Sequence, residues 1–178
     1  RVGTKWIQND STLSRPITPN VSTLANGDLF GVAVAIDGDT IVSGAFQDTE
    51  GGGAQQGSAY VLIRNGQQFS EQAKLTHTGA AAGDFFGRAV AVQNNTAVIG
   101  AIGRDVSGKA DAGAAYVFTR SGSTWTQQQG LTASDGAASD NFGAAVAVAG
   151  DWAAIGSPNA DVGAAVNCGS VYLFLRSG

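Results

Sequence analysis

One spacing constrains this chain more than any other property. Phe30-Gly31, Phe86-Gly87 and Phe142-Gly143 stand 56 residues apart. Gly44-Ala45, Gly100-Ala101 and Gly156-Ser157 keep the same interval, as do Tyr60, Tyr116 and Tyr172, and Arg64, Arg120 and Arg176. A register held by this many landmarks means that one supersecondary unit is used three times. Such a unit buries its apolar faces against its neighbours rather than alone.

Within each unit four strand signals recur. The first follows Phe-Gly, over Val32 to Ile36, Arg88 to Val92 and Ala144 to Val148. Its small and branched apolar residues predict a strand buried on both faces. Tight polar turns follow at Asp37-Gly38-Asp39, Gln93-Asn94-Asn95 and Gly150-Asp151, with residues that accept positive φ. The second strand runs over Thr40 to Gly44, Thr96 to Gly100 and Trp152 to Gly156. A glycine-rich loop leads to the third, over Ser58 to Ile63, Ala114 to Thr119 and Ser170 to Leu175. The fourth, over Phe69 to Leu75 and Trp125 to Leu131, alternates with Gln and Thr as an exposed outer strand does. Helical periodicity is absent. Four short antiparallel strands repeated at this interval predict an all-β chain of β-propeller-type blades. A β-solenoid is the second choice, although its coils are usually shorter.

Composition agrees. Charged residues are 13% of the chain, there are 26 glycines, and the net charge is −4. No basic stripe suggests nucleic acid as a partner, and no apolar run suggests a membrane span. There is no methionine, so Arg1 is read as the product of processing or an internal cut of a longer protein. Sparse charge suits an extracellular or cell-surface location. The single cysteine, Cys168, excludes an internal disulfide framework. It reads as a half-buried small residue, with an intermolecular disulfide as the alternative.

Asp-x-Phe-Gly-x-Ala-Val-Ala, then Ile-Val-x-Gly-Ala, then Gly-Ser-Ala-Tyr-Val, resembles the FG-GAP repeat of integrin α-chains and of many secreted proteins. The resemblance covers essentially the whole chain and implies one β-propeller segment over residues 1–178, with repeats at approximately 1–63, 64–119 and 120–178. In integrin-like members some loops after the Gly-Ala-Pro motif bind calcium. The positions here that match are Asp48 and Glu50 in the first copy, Asp105, Ser107 and Asp111 in the second, and Asn159 and Asp161 in the third. Calcium asks for six to eight oxygens, and each loop offers at most two carboxylates. The other reading is a solvated loop whose side chains bond their own backbone. Asp28, Asp84 and Asp140 precede Phe-Gly in every copy, so a structural role capping turn amides is expected. Phe30, Phe86 and Phe142 read as wedges between blades.

The frame also carries information. Arg1-Val2-Gly3-Thr4-Lys5-Trp6 aligns with Arg120-Ser121-Gly122-Ser123-Thr124-Trp125. The N-terminus therefore reads as a spare fourth strand, and the third copy as a blade without one. Three blades make too tight a ring. Two chains could form a six-bladed ring, chains could join head to tail, or the sequence could be part of a longer propeller. The first copy carries 24 residues between its aromatic and Phe-Gly, against 17 in the others. The extra length, within Asn9 to Asn26, is a candidate contact or linker element or a surface insertion.

Catalysis finds little footing. His77 is the one histidine and reads as a surface residue. No nucleophile elbow, zinc ligand set or phosphate loop is present. The expected function is binding, adhesion or assembly through the propeller surface, with a homo-oligomer or longer parent chain as partner. A carbohydrate-binding lectin is the first alternative, with Trp6, Trp125 and Trp152 as residues that could stack on sugar. A structural filament subunit is the second.

Overall fold

The computed structural model of the chain describes residues 24–49, 53–66 and 68–177. Eleven strands form three antiparallel sheets, and there is no helix among the described residues. The first blade contains β1 (Val34–Asp37), β2 (Thr40–Ala45), β3 (Ser58–Asn65) and β4 (Gln68–Leu75). The second contains β5 (Phe86–Gln93), β6 (Thr96–Ala101), β7 (Ala114–Ser121) and β8 (Thr124–Leu131). The third contains β9 (Ala145–Ala149), β10 (Trp152–Ser157) and β11 (Ser170–Leu175). Strands lie in chain order within every blade, as hairpin connections require.

Register repeats with the sequence. Ser43, Ile99 and Ile155 face Tyr60, Tyr116 and Tyr172. The third and fourth strands of the first two blades share a register shift, at Val61/Leu62 and Val117/Phe118. The N-terminal strand expected over Trp6 to Leu13 lies outside the described residues.

The core lies between blades rather than within them. One cluster joins Val42, Val61 and Leu75 of the first blade to Phe86, Val92, Ala97 and Phe118 of the second. Another joins Val98, Ala115 and Leu131 of the second to Phe142, Ala153 and Ile155 of the third. Phe86 and Phe142 are fully buried at these junctions, as wedges should be. Phe30 has no blade before it among the described residues and is half-buried, its ring edge-on to Tyr60.

The expectation of a first strand buried on both faces fails at the ends of the array. Ile36 is 65% exposed, whereas Val92, its equivalent in the second blade, is 9% exposed. A β-branched apolar residue at this position is buried or bare according to whether another blade lies against it, a property the strand's own sequence does not carry.

Candidate functional site

Each junction is built by glycine and backbone. A Cβ placed on Gly44 would stand 1.8 Å from the Gly87 carbonyl oxygen, and one on Gly100 would stand 1.9 Å from that of Gly143. The second and third blades therefore approach their predecessors at distances no side chain allows. The residues leading into Phe-Gly also strap the blade backwards. Gly83, Phe85 and Phe86 donate their amides to the carbonyls of Ala54, Gln55 and Gln56 at 2.9, 3.2 and 3.0 Å. Ser139, Asn141 and Phe142 repeat this on Ala110, Asp111 and Ala112 at 2.8, 3.1 and 3.0 Å.

Both ends of the array display half of this junction. On the first blade Gly31 has nothing within 4 Å of a built Cβ, and Leu29, Val32, Val34 and Ile36 are exposed beside it. On the third blade the atoms nearest a Cβ on Gly156 all belong to Ala145 of the same blade, the closest at 3.3 Å. Beside it Val171, Leu173, Leu175 and Trp152 are exposed. Val171 is 70% exposed, while its equivalent Ala115 is fully buried. A shallow cleft here is walled by Ala145, Gly156, Ser157, Cys168, Gly169 and Val171. Cys168 is exposed, contrary to the half-buried position expected, because no further blade lies over this face among the described residues.

A second depression, of about 230 Å³, opens between the second and third blades and is lined by Val117, Gln128, Leu131, Phe174 and Arg176 among others. The corresponding place between the first and second blades is filled by Trp125. Its indole packs against the core, donates from Nε1 to Gln72 Oε1 at 2.9 Å and lies under the Arg120 guanidinium at 5.2 Å. Trp152 opens β10, the middle strand of the third blade, and is half exposed; Trp6 lies outside the described residues. Trp125 and Trp152 therefore stand at different junctions.

The candidate metal ligands are held by their own loops. Asp105 Oδ1 accepts the Asp111 amide at 3.0 Å, and Asp161 Oδ1 accepts the Asn167 amide at 2.7 Å, at equivalent positions. Ser107 and Asp111 both have positive φ in this tight loop. Asn159 Nδ2 donates to Asn141 Oδ1 and to the Ser139 carbonyl. Asp48 is buried and accepts from Ser58 Oγ at 2.6 Å and Tyr60 Oη at 3.1 Å, with Lys74 Nζ at 2.9 Å. Glu50 lies outside the described residues. Among the described residues no group of three or more His, Cys, Asp or Glu is arranged to hold a metal ion. The repeated aspartates behave as expected: Asp28, Asp84 and Asp140 accept the amides of Ala25, Ala81 and Ala137.

His77 is a correction. It is buried, stacked on Tyr116 at 4.2 Å and beside Phe86. Its Nε2 lies 3.0 Å from Asp84 Oδ2, a short but misaligned contact, and Arg104 Nη1 reaches the same oxygen at 3.2 Å. Burial pushes the imidazole below its usual value and the Tyr116 hydroxyl above its own. Sequence reasoning missed this cluster, yet its signal was present. Asp48, Arg104 and Ala160 occupy one repeat position, Lys74 and Gly130 another, and His77 and Ala133 a third. Charge inverts from Asp48 to Arg104 at the first of these columns, and a basic residue gives way to Gly or Ala at the other two.

No curated protein matches the chain. Among solved structures it is similar to the crystal structure of the Saccharomyces cerevisiae Sqt1, at 11% identity and a TM-score of 0.51. The match covers 86% of this chain and 33% of that one, so this chain spans about a third of that structure, and the likeness concerns fold alone. The model of the FG-GAP repeat matches three times, over residues 21–62, 69–118 and 125–174. With its glycine-locked blades and its wedge phenylalanines in that register, this chain belongs to the FG-GAP repeat family.

Proposed function

We propose that this chain is an extracellular binding and assembly module that works through the end faces of its blade array and carries no catalytic centre. One observation supports the reading: the first and third blades each expose, as bare apolar strand and glycine, the half-junction that the internal blades bury. Exposed apolar patches rimmed by polar residues mark interaction sites, and sheet surfaces left open invite pairing. The one buried histidine faces Asp84, Arg104 and Tyr116 inside a junction, where a substrate has no access. Sedimentation velocity across a concentration series tests the reading. Species heavier than the 17.9 kDa chain that dissociate on dilution are expected, and a single monomeric species at every concentration refutes it.

A second reading is favoured by the depression between the second and third blades. Gln128, Gln129, Asp151, Arg176 and Trp152 are among the residues that line it, a mixture of amide, charged and aromatic residues suited to a sugar. Glycan-array binding lost in Trp152→Ala would establish this lectin reading, and a blank array would remove it.

A further inference from the structure

We infer that the occupant of the third blade's open face is the N-terminal end of a second copy of this chain, docked head to tail in the register of the internal junctions. The inference rests on the assembly reading above and names its partner. Three independent features of the third blade await a partner, and the N-terminal end holds the complement of each in the right order.

The first is the backbone strap. By the 56-residue interval, the carbonyls of Val166, Asn167 and Cys168 stand where Ala110, Asp111 and Ala112 accept bonds from the third blade. Among the described residues they have no partner. The donors equivalent to Ser139, Asn141 and Phe142 are Gly27, Leu29 and Phe30, whose amides also lack partners among the described residues. Docking pairs all three.

The second is close packing. Gly31 of the incoming copy would lie over Gly156, as Gly143 lies over Gly100. Its apolar strand, with Val34 and Ile36, then covers Val171, Leu173 and Leu175, as the internal junctions bury Ala59, Val61 and Ala115 at equivalent positions. The Arg64 guanidinium of the incoming copy falls at Trp152. The equivalent Arg120 and Arg176 reach back to Thr40 and Thr96, which hold that position in the preceding blades. A guanidinium over an indole replaces the hydroxyl contact.

The third is the unfilled depression between the second and third blades. Gln128 and Arg176 occupy the positions of Gln72 and Arg120, which hold the Trp125 indole. The residue in register with Trp125 at the N-terminal end is Trp6, five residues after Arg1 as Trp125 follows Arg120. Each internal fourth strand leads directly into the next blade's Phe-Gly. The chain from Trp6 to Phe30 is 24 residues, against 17 from Trp125 to Phe142, so one incoming copy reaches both places at once.

The test uses the natural thiol. Leu29 aligns with Asn141, whose amide bonds the carbonyl of Asp111, the residue before the equivalent of Cys168. In Leu29→Cys, a short bis-maleimide should link Leu29→Cys of one copy to Cys168 of another, giving covalent dimers or ladders that vanish when Cys168→Ser is added. Gly156→Ala, whose methyl meets only Ala145 of its own blade, at 3.3 Å, and Trp6→Ala should each weaken association at least tenfold while lowering the melting temperature of the dilute chain far less than Gly100→Ala does. Association in which Leu29→Cys and Cys168 fail to cross-link, or that Gly156→Ala leaves intact, overturns this register while assembly stands. A chain that stays monomeric at all concentrations overturns both.

Discussion

Gly100→Ala separates two explanations of why glycine stands at the blade junctions. Gly100 lies in β6 and its φ is not positive, so alanine can adopt its backbone. On conformational entropy alone the change should stabilise by about 0.4–1 kcal/mol. The junction predicts the opposite sign. The new methyl would stand 1.9 Å from the Gly143 carbonyl oxygen, 2.9 Å from its carbon and 3.3 Å from its Cα. All three are backbone atoms, so no rotamer change relieves the clash and the third blade must retreat by about an ångström or more. Phe142, buried on the same interface with Ile155 and Ala115, loses contact as it does so. Overpacking typically costs about 1–3 kcal/mol, and an obstacle made of main chain places this case at or above about 3 kcal/mol. For a chain of this size that lowers the melting temperature by roughly 6–12 °C. Thermal unfolding followed by circular dichroism reads it. A variant as stable as the parent, or more so, would refute the reasoning that carbonyl-to-glycine contact sets the blade spacing.

His77 makes stability depend on pH. Burial holds its folded pKa below the unfolded value near 6.5, so the unfolded chain takes up the proton first. Its contribution is intact above that value and is lost as pH falls below it, by at most about 1.4 kcal/mol per pH unit. Urea unfolding of His77→Phe should show a shallower loss between pH 7.5 and 5.5 than the parent, and equal slopes would deny the histidine this role. Asp105→Ala and Asp161→Ala each remove a loop cap and should cost about 1 kcal/mol apiece in denaturant titrations. The two losses should add, and a Ca²⁺ chelator should leave them unchanged. Trp125→Ala should destabilise by about 2–3 kcal/mol through lost packing and its bond to Gln72; a neutral result in calorimetry would mean the indole does not seal the junction.

Fold was legible because its determinants are local and repeated. Turn residues such as Asp37-Gly38 and Asn94 sit where positive φ is needed, and the apolar strands keep their order, so register followed from the interval. Burial was less legible, because it depends on which blade lies opposite. Ile36 and Val92 look alike in sequence and differ in environment, and Cys168 is bare for the same reason. His77 escaped because its neighbours come from the next repeat: Asp84, Phe86, Arg104 and Tyr116 all lie beyond the blade that carries it. The candidate calcium residues were visible as a pattern. That Asp105 and Asp161 each bond an amide six residues on is a matter of loop conformation, which the motif does not encode.

Amide hydrogen exchange on β11 tests the central claim most directly. In the second blade β7 is bonded on both sides, by β6 and β8, whereas β11 is bonded by β10 alone among the described residues. Completion by a second copy should slow exchange at the β11 amides that face away from β10 as protein concentration rises, with β7 unchanged. Exchange at β11 that stays fast and independent of concentration would contradict assembly through this face.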